Sequence, residues 1–164
     1  NNDVTVLGIT TSTDLSKIVE INLTAPITKI KNLIKIWAQR KLSLYGKVTI
    51  INSLLASQLI YRLCVLPSPE SCILKAIDMT FFEYLWDNKP HRISKTCIIN
   101  NRDTAGIKMI DVRKKEASLK IAWVKRICEN PDYVCPVLKK YCKIDLHLLL
   151  LCNIKAEDIA HCFV

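Results

Sequence analysis

Between Glu20 and Glu70 the chain has no acidic residue, yet those 49 positions carry Lys29, Lys31, Lys35, Arg40, Lys41, Lys47 and Arg62. A solvated helical face normally mixes both signs, because opposite charges three or four residues apart support the helix. A one-sign stretch of this length points to a partner that supplies the negative charge, and phosphate is the commonest such partner. Glycine is scarce at three residues, which argues against an all-β fold rich in tight turns. It also removes phosphate-cradling loops: neither G-x-G-x-x-G nor G-x-x-x-x-G-K-[ST] occurs. No C-x-x-C, H-E-x-x-H or G-x-S-x-G is present. The strongest apolar run, Leu146 to Leu151, is interrupted by His147 and is too short to span a membrane. Nothing at the N-terminus resembles a signal peptide. The first residue is Asn and the only methionines are Met79 and Met109, so the chain is expected to be a piece of a longer protein.

What is present is a locally basic chain with an ample core. Half of its 164 residues are apolar and its formal charge is +9. Residues 29–126 hold 19 Lys/Arg against 7 Asp/Glu, while residues 1–28 hold 1 against 3 and residues 127–164 hold 4 against 5. The balances of +12, −2 and −1 sum to +9, so the positive charge belongs to the middle of the chain. The eight cysteines sit mostly among apolar residues, where Cys behaves as a small hydrophobe. They read as reduced intracellular thiols, with a cytoplasmic or nuclear location expected. Cys142, His147 and Cys152 have the spacing of the last three ligands of a zinc knuckle, but the first ligand position is Lys139. The surrounding leucines favour cysteines in a helical core over a metal site.

Periodicity predicts a mostly α fold, a helical bundle with a small β element and a further helical segment. Thr24-Ala25-Pro26 reads as a helix start, followed by Ile27, Ile30, Ile34 and Trp37 at helical spacing. Gly46 punctuates a break, and a helix from about Lys47 to Cys64 is apolar nearly all round. Its small residues Thr49, Ser53, Ala56 and Ser57 permit close approach by another backbone. Ser68 and Pro69 are expected to begin a third helix reaching Trp86. Asn88 to Lys95 is a basic connector, Cys97–Ile99 and Ile107–Ile110 are candidate strands, and Asp111 caps a fourth helix. Asp78 and Glu83 are expected to be solvated. After Pro131 the pattern is of Leu- and Cys-rich helical segments. No set of residues suggests catalysis, and the residues alone support a binding surface.

The order of segments resembles the region after the polymerase palm in non-LTR (LINE-type) retrotransposon reverse transcriptases. The resemblance rests on Trp37-x-x-Arg40-x-Leu42-Ser43-Leu44-x-Gly46-Lys47, Ile50-Ile51-Asn52-Ser53-Leu54-Leu55 and Ser57-Gln58-Leu59-x-Tyr61. It continues through Leu66-Pro67-x-Pro69, Phe82-x-x-Leu85-Trp86 and Lys89-Pro90-His91-Arg92-Ile93. Gly106-Ile107-Lys108-Met109-Ile110-Asp111-Val112 and the run from Ala117 to Arg126 complete it, with Leu7-Gly8-Ile9 similar to the last palm strand. It implies an end of a palm-like region over 1–23 and a thumb-like bundle over 24–88. A post-thumb connector and helix would follow over 89–130, then a C-terminal helical segment over 131–164. It implies a fragment of an RNA-directed DNA polymerase that holds the template–primer duplex through its phosphate backbone. Lys29, Lys31, Lys35, Arg40, Lys41 and Lys47 would contact phosphate, with Lys89, His91, Arg92 and Lys95 in the connector. The implied partners are an RNA–DNA hybrid or other nucleic acid and the palm of the parent polymerase, with no membrane. No Tyr-x-Asp-Asp occurs, so the chain alone is expected to be inactive, and Mg2+ is expected only in the palm. The alternatives are a helical protein-interaction domain or a non-functional relic of a transposon copy.

Overall fold

Leu7 and Gly8 both lie at positive φ, 49° and 77°, which is the backbone a two-residue hairpin turn demands. They join β1 (Val4–Val6) to β2 (Ile9–Thr11), antiparallel with Val4 opposite Thr11 and Val6 opposite Ile9. Gly8 is therefore the turn, and of the expected strand motif only Ile9 is in a strand. The Tyr61 hydroxyl donates to the Leu7 carbonyl at 3.1 Å and ties the turn to a later helix. These features come from a computed structural model that describes residues 4–12 and 15–129. Among the described residues it is mostly helical, with six α-helices and this one small sheet.

Helix α1 runs over Leu15–Ala38, with Pro26 inside it. The expected start at Thr24 is corrected, because upstream residues have something to bury against. Ile18 and Leu23 are buried, and the Asn22 amide grips both backbone groups of Thr10 at 2.8 Å. Thr24 is a mid-helix residue whose hydroxyl donates to the Glu20 carbonyl at 2.7 Å. The boundary expected between 23 and 24 thus falls inside α1.

Helix α2 (Leu44–Ile50) opens at Ser43, whose hydroxyl accepts the Gly46 N–H at 3.2 Å. A π-helical turn over Ile51–Leu55 follows, then α3 (Ser57–Val65), and the two halves meet at a 42° bend. The single helix expected from Lys47 to Cys64 is therefore broken, and the sequence gives the reason. Ile51, Leu55, Leu59 and Leu63 are all buried and each is four residues from the next. A stride of four overshoots an α-helical turn by about 40°, so a straight helix would carry these leucines away from the core. The wider turn brings them back, and such turns are a recognised cause of sharp bends.

Leu66 ends α3, and α4 (Ser71–Trp86) begins with Glu70 at its cap position. The expected start at Ser68–Pro69 is two residues early. The first helical bonds run from the Ile73 and Leu74 amides to the Glu70 carbonyl. Phe81, Ile77 and Leu85 of α4 join Leu23 and Ile30 of α1 and the leucines of α3 in the core.

Neither candidate strand beyond α4 forms. Lys95–Ile99 is a short helix, α5, capped by Ser94, and residues 107–110 are interrupted by Lys108 at φ 57°. Helix α6 (Val112–Glu129) starts directly after Asp111, as expected. Gly106 is required by space: a Cβ there would lie 2.0 Å from the Asn100 carbonyl oxygen. The chain divides into two compact units, the first ending at Arg113 and the second beginning at Lys114. The boundary expected after residue 88 lies within the first unit. The segment 131–164, with Cys142, His147 and Cys152, lies outside the described residues.

Candidate nucleic-acid interface

The lysines of α1 do not form one stripe. Lys31 and Lys35 are one turn apart and both exposed on the outward side, whereas Lys29, two residues from Lys31, is exposed on the opposite flank. Arg40 and Lys41 follow in the turn to α2, both exposed. There the Arg40 N–H closes on the Trp37 carbonyl at 3.1 Å, which sets the guanidinium 4.7 Å from the centre of the Trp37 ring.

Lys47 has a different place. It is only 6% exposed, and its ammonium is ion-paired with the Asp87 carboxylate. It also donates to the Leu85 carbonyl at 3.4 Å and faces the Tyr84 ring at 5.8 Å. The expected phosphate contact at Lys47 is corrected: it is a pin between α2 and the C-terminal end of α4, where the helix dipole favours a cation. Asp87 is available to it because the chain turns left-handed there, φ 52°, and its side chain remains 55% exposed. So the acid-free segment is neutralised at one point, by a carboxylate 40 residues downstream.

That pin has a consequence for the remaining cations. It seats the first turn of α2 against the last turn of α4, so Arg40 and Lys41 just before α2 share an end of the bundle with Lys89 and Arg92 just after α4. All four are exposed, and none has a carboxylate partner among the described residues. Lys31 and Lys35 lie on the helix leading to that end.

The other connector candidates are partly engaged. Lys95 is 45% exposed and pairs with Asp78 at 2.9 Å, its ammonium 5.5 Å from the Phe82 ring. His91 packs on Phe82 with ring centres 5.5 Å apart. Asp78 was expected to be solvated and is instead 2% exposed, its second oxygen accepting the Val112 N–H at 3.2 Å. It holds α5 and the start of α6 against α4. Glu83 is exposed, as expected.

Two asparagines to which the sequence reading gave no role organise the unit. Asn22 seats the hairpin, and Asn52 in the π turn donates to Lys108 O and accepts from Ile110 N, both at 2.9 Å. Each amide imitates a strand partner. The available signal was asparagine within a helical stretch, where its propensity is poor and a side-chain bond must compensate. Of the small residues, Thr49, Ser53 and Ser57 turn their hydroxyls onto their own helix carbonyls.

Buried Tyr84 carries a hydroxyl without a partner among the described residues. Burial raises its pKa above the ordinary tyrosine value, and the Asp87 charge adds to the effect. The Glu70 carboxylate, 3.2 Å from the Cys72 sulfur, raises that thiol's pKa, which keeps it a poor nucleophile. Among the described residues no group of three His, Cys, Asp or Glu side chains could hold a metal. No single described helix is long and apolar enough to cross a membrane. No family model matches this chain, and no solved structure matches it either.

Proposed function

We propose that this chain is a duplex-holding module of a non-LTR-type reverse transcriptase, gripping the phosphate backbone of an RNA–DNA hybrid beside a catalytic palm. The observation that carries this reading is the cluster of exposed cations at one end of the bundle. Arg40, Lys41, Lys89 and Arg92, approached by Lys31 and Lys35, have no carboxylate partner among the described residues. The ordered sequence motifs supply the polymerase family, and the helical bundle with its small hairpin is compatible with a thumb. Contacts of this kind position a duplex without reading its sequence, and a hybrid leaning toward A-form favours recognition by shape and backbone. Catalysis is left to residues outside this chain. Lys47 has no part in the grip, and Lys95 and His91 serve it by holding the connector.

Binding of the full chain to a labelled RNA–DNA hybrid across a salt series tests the reading. With four or five phosphates engaged, log Kd should change with log salt at a slope of about 3.6 to 4.5 in magnitude, at roughly 0.9 per contact. Paired substitution of Arg40 and Lys41 by Ala should flatten that slope by about two units while leaving sequence preference unchanged. A flat response from folded chain would remove the nucleic-acid reading and direct attention to an acidic protein partner, the palm first.

A further inference from the structure

Two of the cation–π pairs in this chain repeat one arrangement. Trp37-x-x-Arg40 and Trp123-x-x-Arg126 each place a guanidinium over an indole, at 4.7 and 5.6 Å from the ring centre. Each stands toward the C-terminal end of its helix, α1 and α6, one in each compact unit. Both arginines are exposed. The sequence around each lacks acid: none occurs from 21 to 69, and none from 117 to 128. At the first pair, exposed Lys41 follows Arg40 directly in the chain.

We propose that each Trp–Arg stack is a platform for an unpaired nucleobase of a single strand adjoining the duplex. This rests on the reading of the chain as a nucleic-acid module and names a second ligand class for it. A guanidinium has two flat faces. The indole covers one, and on an exposed arginine the other is open to solvent. A flat base stacks on such a plane as it does on an aromatic ring. The indole beneath holds the guanidinium in place, so little side-chain freedom is lost when a base arrives. Bases inside a duplex are already stacked on one another, so only an unpaired base can use the surface. Lys41, next to Arg40, would take a phosphate of that strand.

The test measures the full chain against three ligands: a blunt RNA–DNA hybrid, the same hybrid with a short single-stranded overhang, and that overhang made abasic. The abasic strand keeps the phosphates and removes the bases. The intact overhang should bind about fivefold or more tighter than the abasic one, the low end for a single stacked base. Replacing both arginines together, Arg40→Lys with Arg126→Lys, keeps the charge and loses the planar surface. It should abolish that gain, bringing the ratio of intact to abasic binding, read within the same variant, to about one. Equal binding of intact and abasic overhangs, or a gain that survives in the double variant, overturns the platform while leaving the duplex reading standing. Failure to bind all three ligands overturns both.

Discussion

Lys35 on α1 and Lys47 on α2 are twelve positions apart in a stretch without a single carboxylate, and composition treats them alike. Lys35 lies open to water on the outer side of a helix. Lys47 is enclosed between two helices, with Asp87 brought to it by a left-handed turn at the end of α4. Lys95 inverts the second pattern, a half-exposed lysine held by the buried carboxylate of Asp78. The difference is set by depth. A lysine inside must meet an anion or lose the free energy of its hydration, whereas a lysine outside can wait for one. Within this unit the first kind assembles the surface that the second kind presents.

That division can be broken most forcefully from the acidic side. Asp87→Ala strands the Lys47 ammonium in the interior, and urea unfolding should report a loss of about 3 kcal/mol. This is the low end for a broken buried pair, because the Asp87 side chain is itself half in water. Removing the cation is gentler: Lys47→Met keeps the stem packed and leaves only a half-exposed carboxylate. It should cost less than Asp87→Ala and leave the salt slope of hybrid binding unchanged. Asp78→Ala leaves the Val112 N–H without its acceptor, for a loss of about 2 kcal/mol by the same assay.

The outer lysines should behave in reverse. Lys31→Ala or Lys35→Ala should alter stability by no more than about 0.5 kcal/mol, while each that contacts phosphate flattens the salt slope by about one unit. Smallest of all is Tyr84→Phe. Its hydroxyl has no partner among the described residues, so its loss should be neutral or slightly stabilising at pH 7. Its folded pKa is raised, so the stability linked to the neutral phenol is complete below about pH 10 and is lost as pH climbs through the raised folded value. The variant should flatten the alkaline limb of a stability-versus-pH curve, read by thermal unfolding.

How much of this was legible beforehand follows from the range of the interactions. The α4 core at Ile77, Phe81 and Leu85 was readable because a helix writes its buried side into a local period. The start of α6 after Asp111 was readable for a similar reason. Lys47 was misread because its partner is 40 residues away, and no local pattern reports a pair closed by tertiary packing. The start of α1 was misplaced because Thr24 and Pro26 carry a strong local signal. Asn22, two residues earlier, overrides it through a hairpin the sequence only hints at. The strands expected at 97–99 and 107–110 show apolar residues in the right numbers. There a Ser94 cap and a left-handed Lys108 decided the backbone instead.

The widened turn at Ile51–Leu55 has a genetic consequence. It makes this segment the place where a change in length can be absorbed. A conservative change at Ser53, which is exposed, should pass unnoticed. Deleting that one codon would let the ladder close as a regular helix and, because the wider turn holds one residue more than an α turn, would leave Leu59 and Leu63 in phase with Ile51. A codon lost within α3 has no such turn to draw on, and every later residue of the helix would rotate by about 100°. A lineage that keeps this fold can lose a letter at the turn but has to keep count beyond it.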